Sequence, residues 1–313
     1  MKNIKISIII PCLNEEHFLP SLFSSIKNLT TNNISYEVIM IDNGSTDRSV
    51  EIAREHNATF FIEPEANISA LRNVGARHAR GEIFAFLDAD CLPLPEWLDE
   101  AAKYKEQNDV GAFGSIPLCP SNGTWVEKAW MGISPKGVHD VGFICTANMF
   151  IQKNVFEQVN GFDENLTTGE DYDICQRIIK AGYKIISDKK VAVIHLRYPK
   201  TLFERFKKEI WYGEEMLNIL KIKPFYRPFW ASLIFGCSFI VILSCLFLRS
   251  FGLFFKLGLF LFFLIPVISA TFKVVQSKRY KYYLHLILLY FVYLSGRFSS
   301  ILISCKSVLW NKV

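Results

Sequence analysis

The chain has 313 residues, half of them hydrophobic, with 27 Phe, a mean hydropathy of +0.21 and a formal net charge of +5. That composition excludes a disordered chain, a collagen-like repeat and a small disulfide scaffold. The charge is unevenly placed: residues 1–196 carry 18 Lys/Arg against 26 Asp/Glu, residues 197–227 carry 8 against 4, and residues 228–313 carry 9 against none.

No soluble domain is expected to run from 228 to 313 without a carboxylate, so the pattern predicts a soluble acidic front joined to a membrane back. Nucleic acid is a poor partner, because the basic charge sits among apolar runs rather than on a polar face. The chain reads Met1-Lys2-Asn3-Ile4-Lys5 and reaches Pro11 after a short apolar run. That run is too short for a signal peptide, so the front is expected to stay in the cytosol. The 8 Cys form no CxxC pair and no metal-ligand spacing, and they read as small buried hydrophobes in a reducing compartment.

Short β-rich runs at 6–10, 37–41, 59–62, 83–87 and 110–113 alternate with helical stretches at about 15–29, 47–56, 69–80 and 95–107. This alternation predicts an α/β domain with a parallel sheet and helices on its faces. Asp47 is placed to cap the second helix and Pro95 suits the first turn of the fourth. A second block follows, with a strand near 143–151, a helix over 170–181 and a strand at 191–194. Residues 201–222 read as an amphipathic juxtamembrane helix, with Phe203, Phe206, Ile210, Leu217 and Ile219 among Lys207, Lys208 and Lys221. It is expected either to lie on the inner leaflet or to pack on the soluble domain.

Three apolar runs come next, at 229–248, 251–272 and 282–305. The first, 20 uncharged residues, is long enough to cross about 30 Å of hydrocarbon. The second carries Lys256 and Pro266, the third Arg297, and no acidic residue from 228 onward is available to pair with that arginine. Arg297 therefore either snorkels to the far surface or meets a phosphate of a lipid acceptor. Lys273, Lys278, Arg279 and Lys281 make the loop between the second and third runs the most basic connection. If it is cytoplasmic, the front is cytoplasmic as well, which predicts a multi-pass protein of the plasma (inner) membrane.

Carboxylates at the ends of apolar strands carry the chemical information. Asp42 ends one run in Ile41-Asp42-Asn43-Gly44-Ser45-Thr46-Asp47, and Asp88 and Asp90 end another in Phe86-Leu87-Asp88-Ala89-Asp90. Ligands of open α/β sheets sit at that edge. Two aspartates one residue apart there can hold a hard divalent cation together with phosphate oxygens. No GxGxxG follows a strand, and Gly75-Ala76-Arg77-His78-Ala79-Arg80-Gly81 is no Walker A loop, so a nicotinamide enzyme or a P-loop ATPase is disfavoured.

The chain resembles a family 2 glycosyltransferase of the GT-A fold, the Rossmann-like fold of nucleotide-diphospho-sugar transferases. The resemblance rests on Ser7-Ile8-Ile9-Ile10-Pro11-Cys12-Leu13-Asn14-Glu15-Glu16, the 42–47 segment, Arg72-Asn73-Val74-Gly75, Asp88-Ala89-Asp90 and Gly169-Glu170-Asp171, in the expected order over about 4–200. It implies an α/β GT-A domain over 1–200, followed by the juxtamembrane helix (201–228) and three transmembrane helices (229–305). It implies that Asp42 holds the nucleotide base beside Pro11, Cys12, Leu13 and Glu15, that Arg72 helps bind the nucleotide, and that Asp88, with Ala89, meets the ribose or diphosphate. Asp90 would be the main ligand of Mg2+ or Mn2+, with Asp88 beside it. Thr146-Ala147-Asn148 would line the sugar pocket, and Asp171 would be the catalytic base with Glu170 next to it. His195 resembles the second metal ligand of some members, or is a histidine satisfied by local backbone.

Sugar transfer from a nucleoside diphosphate needs the leaving diphosphate neutralised, which a divalent cation does as a Lewis acid. It also needs the acceptor hydroxyl deprotonated, for which one positioned carboxylate suffices. One base without a second carboxylate as nucleophile implies single displacement and inversion. Processive polysaccharide synthases of the family carry QxxRW after the base and span the membrane before the catalytic domain. Residues 203–211, Phe-Glu-Arg-Phe-Lys-Lys-Glu-Ile-Trp, do not match, and no span is expected ahead of the domain. The expected enzyme therefore moves a single sugar from a UDP- or GDP-sugar to a hydroxyl of a lipid-linked or cell-surface glycan precursor, among membrane lipids and partners of a glycan assembly pathway. A polyprenyl-phosphate glycosyltransferase, a processive polysaccharide synthase and an inactive assembly partner are the alternatives.

Overall fold

The apolar runs of the front half are strands, and they lie side by side. The structure is a computed structural model that describes residues 5–310 except 33, 132–136, 167, 215, 217, 218 and 221–223, with side chains to 304. Leu217, Lys221 and Ile222 of the expected juxtamembrane helix thus lie outside the described residues, as do Met1 to Ile4. The chain divides into two units, Met1–Ser121 with Ile133–Arg197, and Asn122–Gly132 with Tyr198–Val313.

The first unit is built from β1 (Ile6–Cys12), α1 (Leu19–Lys27), β2 (Tyr36–Asp42), α2 (Ser49–Glu55), β3 (Thr59–Ile62), α3 (Ile68–His78), β4 (Ile83–Leu87), β5 (Cys91–Pro93), α4 (Trp97–Ala102) and β6 (Val110–Gly114). After α5 (Trp125–Trp130), which belongs to the second unit, it continues with β7 (Val138–Asp140), β8 (Asn148–Gln152), α6 (Lys153–Gln158), α7 (Glu170–Lys180), β9 (Lys184–Asp188) and β10 (Val193–His195). Eight strands form one sheet in the order β3-β2-β1-β4-β8-β6-β9-β7, and β10 pairs with β5 separately. The expected parallel sheet holds only from β3 to β4 and again for β6 with β9. Strand β8 runs antiparallel between β4 and β6, and β7 antiparallel to β9, so the sheet is mixed. An apolar strand buried on both faces reads the same in either direction, which is why the pattern missed the reversal.

Every residue of β1 is buried, and alternate side chains serve opposite faces of the sheet. Ile8 and Ile10 pack with Leu19, Leu22, Met40 and Trp97, whereas Ile9 packs with Leu71, Val74, Phe84, Phe86 and Ile174. Gly75 of α3 lies hard against this strand: a Cβ there would stand 2.3 Å from Ile9 Cγ2. Two expected helix starts move. Arg48 occupies the cap of α2, although Asp47 still accepts the Ser49 amide at 2.9 Å, and Pro95 precedes α4 instead of entering its first turn. Strands β5, β7 and β9 were not legible as strands.

The second unit contains α5, α8 (Leu202–Gly213), α9 (Arg227–Phe247), α10 (Leu253–Ser277) and α11 (Tyr283–Trp310). The last three helices lie in three segments long and apolar enough to cross a membrane, close to the expected runs. They form the C-terminal membrane region. Helix α5 carries a capping box, Thr124 with Glu127, and buries Val126 and Ala129 against Ala270, Val274, Leu286 and Leu289.

Helix α8 buries a mostly polar strip. Its buried positions are Arg205, Glu209 and Gly213, while Phe203 is 65% exposed. This strip faces α11, where a Cβ at Gly296 would meet Glu209 Cβ at 2.7 Å and a Cβ at Gly213 would meet Ser300 Cβ at 2.4 Å. Small residues let the two backbones approach, and charged side chains fill the seam. Arg297 donates from Nε to Glu209 Oε2 at 2.7 Å and from Nη1 to the Tyr212 carbonyl. Neither expected fate for Arg297, surface or lipid phosphate, included this partner, which lies ahead of the apolar runs.

Candidate active site

The C-terminal ends of β1, β2 and β4 share one edge of the sheet, and the loops that leave them are tied by side chains. Asp42 is buried and accepts from the amides of Gly44 (2.9 Å) and Ser45 (2.8 Å) and from Ser45 Oγ (2.5 Å). The loop after β1 is clasped to this turn: the Asn14 amide donates to Ser45 Oγ and the Thr46 amide to Asn14 Oδ1, each at 2.8 Å. The Glu15 amide donates to Ser49 Oγ at 2.8 Å. Pro11 and Cys12 are buried under this clasp, while Leu13 is exposed. Burial pushes the Cys12 thiol up to about 12, so it stays protonated.

Strand β4 delivers Asp88, Ala89 and Asp90. The Arg72 guanidinium, 3% exposed, reaches Asp88 Oδ1 at 3.1 Å and Glu170 Oε1 at 2.7 Å, joining the end of β4 to the start of α7. Asn73 fastens the neighbouring loop, donating to the Phe162 carbonyl and accepting from the Phe162 amide, both at 2.9 Å. Arg72, Asn73 and Gly75 thus hold two acids, a loop and a strand respectively. Gly169, at φ +80°, lets the chain turn into α7 and sets Glu170 and Asp171 on its first turn. The Asp171 carboxyl is pushed up to about 7, first by burial and then by the Glu170 charge, with Arg72 acting against both. A carboxylate that shares its proton near neutrality is suited to proton transfer.

Pairing of β10 with β5 sets His195 opposite Cys91. His195 Nε2 then lies 3.6 Å from Asp90 Oδ1, and ligand atoms of Asp90, Cys91 and His195 all fall within 4.8 Å of one another. Burial raises the Asp90 carboxyl, with His195 opposing, and holds the Cys91 thiol well above its ordinary range. The Asp90 carboxylate and the His195 imidazole make a donor pair that fits a divalent ion such as Mn2+. The Arg197 amide donates to His195 Nδ1 at 3.2 Å, which puts the ring hydrogen on Nε2. Ligation through Nε2 requires the other tautomer and gives that contact up.

Thr146 and Ala147 are buried. Asn148 lies within the sheet and departs from its expected place: its amide donates to Ser115 Oγ (3.0 Å) and the Val191 carbonyl (2.8 Å) and accepts from Trp97 Nε1 (2.9 Å). Fully buried and engaged at both ends of its amide, Asn148 braces its strand from within the core and is closed off from a sugar.

Arg197 escaped the motif reading. It forms a two-pronged ion pair with Glu15, lies over the Phe18 ring at 4.7 Å, and brings Nε to 3.8 Å from Asp90 Oδ2. Its position two residues after His195 was the available signal. Burial also raises the Glu15 carboxyl, against the pull of Arg197.

Residues 7–159 match the model of glycosyl transferase family 2, and residues 140–209 match that of the N-terminal domain of galactosyltransferase. The chain carries a family 2 glycosyltransferase domain. It is 29% identical over 225 residues to glycosyltransferase AglE of Haloferax volcanii, covering 68% of this chain and 73% of AglE. The fold is similar to that of mannosyltransferase PcManGT from Pyrobaculum calidifontis, solved with GDP-Man and Mn2+ (TM-score 0.62, 16% identity, 99% of this chain and 88% of that one). It is also similar to S. aureus TarS 1–349 with UDP-GlcNAc (TM-score 0.54, 14% identity, 95% and 92% covered), and the chain spans 40% of a longer TarS structure. At these identities the solved structures speak for the GT-A fold of this glycosyltransferase.

Proposed function

We propose that the protein is an inverting, membrane-anchored glycosyltransferase. It moves one sugar from a UDP- or GDP-sugar to a hydroxyl of a lipid-linked or cell-surface glycan precursor. The observation that carries this reading is the linkage through Arg72, which sets Asp171 beside the strand end bearing Asp88 and Asp90. The nucleotide-sugar complexes of PcManGT and TarS support the donor class.

In this reading Asp42 and Glu15, with Pro11, Cys12 and Leu13, receive the nucleoside, and Asp88 and Ala89 the ribose or diphosphate. Arg72 acts by fixing Asp88 and Glu170. Thr146 faces the sugar, and Asp171 takes the proton from the attacking hydroxyl as that oxygen bonds the anomeric carbon. No second carboxylate is assigned as nucleophile, so configuration inverts. Asp90 and His195, with Asp88 near, would hold Mg2+ or Mn2+, which when bound neutralises charge on the leaving diphosphate. The domain over 1–200 lies on the cytoplasmic face if the basic loop between α10 and α11 does.

The test is nucleotide release by the full chain in detergent, with UDP- and GDP-sugars and either metal. Release from at least one donor, lost in excess EDTA, is expected. Metal-independent release, or none from any donor, contradicts the reading.

A further inference from the structure

The first unit covers its aromatic side chains, with two exceptions. Among its described residues, Phe143 (44%) and Tyr172 (40%) are the Phe, Tyr or Trp rings left exposed. They are in contact with each other, their centroids 6.3 Å apart and their planes at 43°. Both flank the proposed base. Tyr172 follows Asp171, whose carboxylate accepts the Tyr172 amide at 2.8 Å. Phe143 lies two residues before Cys145, whose thiol feels the Asp171 charge, and three before Thr146. Gln176 of α7 donates to the Gly142 carbonyl at 3.1 Å, so the loop bearing Phe143 is fastened to the helix bearing Asp171 and Tyr172.

Uncovered aromatic surface gains nothing for folding, and gathered next to a reactive group it marks a binding face. A pyranose ring matches such a face: its axial C–H groups form an apolar side, with hydroxyls around the rim. We infer that Phe143 and Tyr172 form the platform on which a sugar ring of the acceptor lies, presenting its hydroxyl to Asp171. A bare polyprenyl phosphate offers no ring to this platform, so the acceptor of this enzyme is a glycan. The inference rests on the proposed role of Asp171 as base.

Saturation-transfer NMR on the full chain in detergent, with UDP or GDP and Mn2+ present, tests it. The probes are the α- and β-methyl glycosides of glucose, galactose, mannose and N-acetylglucosamine. Transfer to ring C–H protons of at least one glycoside is expected. It should fall about fivefold or more in F143A/Y172A and persist in Y172F, which keeps the ring. Undiminished transfer in the double variant, or transfer to no glycoside, overturns the platform. Nucleotide binding on the same samples separates the two readings. A chain that binds nucleotide but no glycoside refutes the platform alone. One that shows platform-dependent transfer but binds neither nucleotide refutes the donor assignment.

Discussion

Arg297 and Glu209 stand 88 residues apart in sequence and meet side chain to side chain, Nε to Oε2 at 2.7 Å. Glu209 is fully buried, and its other oxygen is taken by Arg205, itself stacked 3.7 Å over the Trp130 ring. One carboxylate therefore serves two arginines in the seam between α8 and α11.

Removing that carboxylate strands two cations, so Glu209→Ala is expected to cost about 3–5 kcal/mol, more than Arg297→Ala. Thermal unfolding of the full chain in detergent checks the order. Equal or reversed losses would show that Glu209 is not the shared partner.

Asp171→Asn keeps size and polarity but takes no proton. Turnover should fall about 10²-fold or more while nucleotide binding is retained. Near-normal turnover removes Asp171 from the mechanism.

The raised Asp171 carboxyl, at about 7, makes its basic form scarce in acid. kcat/KM is thus expected to rise with pH through about 7 and level off above it. Glu170→Gln removes a charge that raises Asp171 and frees Arg72 to lower it, so the rise should move to lower pH. A profile already flat from pH 5 upward excludes a base with this environment.

Asp90→Ala removes the carboxylate that faces His195, and Mn2+ binding, followed by electron paramagnetic resonance, should weaken at least tenfold, roughly the effect of losing a charged ligand contact of 1.4 kcal/mol or more. Unchanged Mn2+ affinity would place the metal elsewhere.

Gly75→Ala drives a methyl group into Ile9 and should cost about 1–3 kcal/mol, read by thermal unfolding. Donor KM at low temperature should stay near that of the parent chain, because Gly75 packs a strand and faces no ligand.

Much of the site was legible because its acids end apolar runs: Asp42, Asp88 and Asp90 are strand-end residues, and Glu170 and Asp171 open an amphipathic helix. The three long helices were legible from length and the absence of carboxylates. Strand direction was not, since the centre of β8, Met149-Phe150-Ile151, is apolar and buried on both faces and carries no mark of chain direction. The Glu209–Arg297 pair was hidden for a different reason. Helical periodicity assigns charged residues to water, and here α8 turns Arg205 and Glu209 inward while Phe203 stays out. Asn148 was misplaced because a polar residue in a motif reads as ligand-facing, whereas Trp97 and Ser115 supply its partners from distant positions.

The chain's early visit to the second unit sets an order of events during synthesis. Val126 and Ala129 of α5 leave the ribosome long before Ala270, Val274, Leu286 and Leu289, with which they pack. At about 5–20 residues per second the wait is roughly 10–30 s. Over that interval the apolar side of α5 is uncovered on a partly made chain. A gene cut after residue 197 makes the wait permanent, so such a truncated enzyme is expected to aggregate however well its sheet forms.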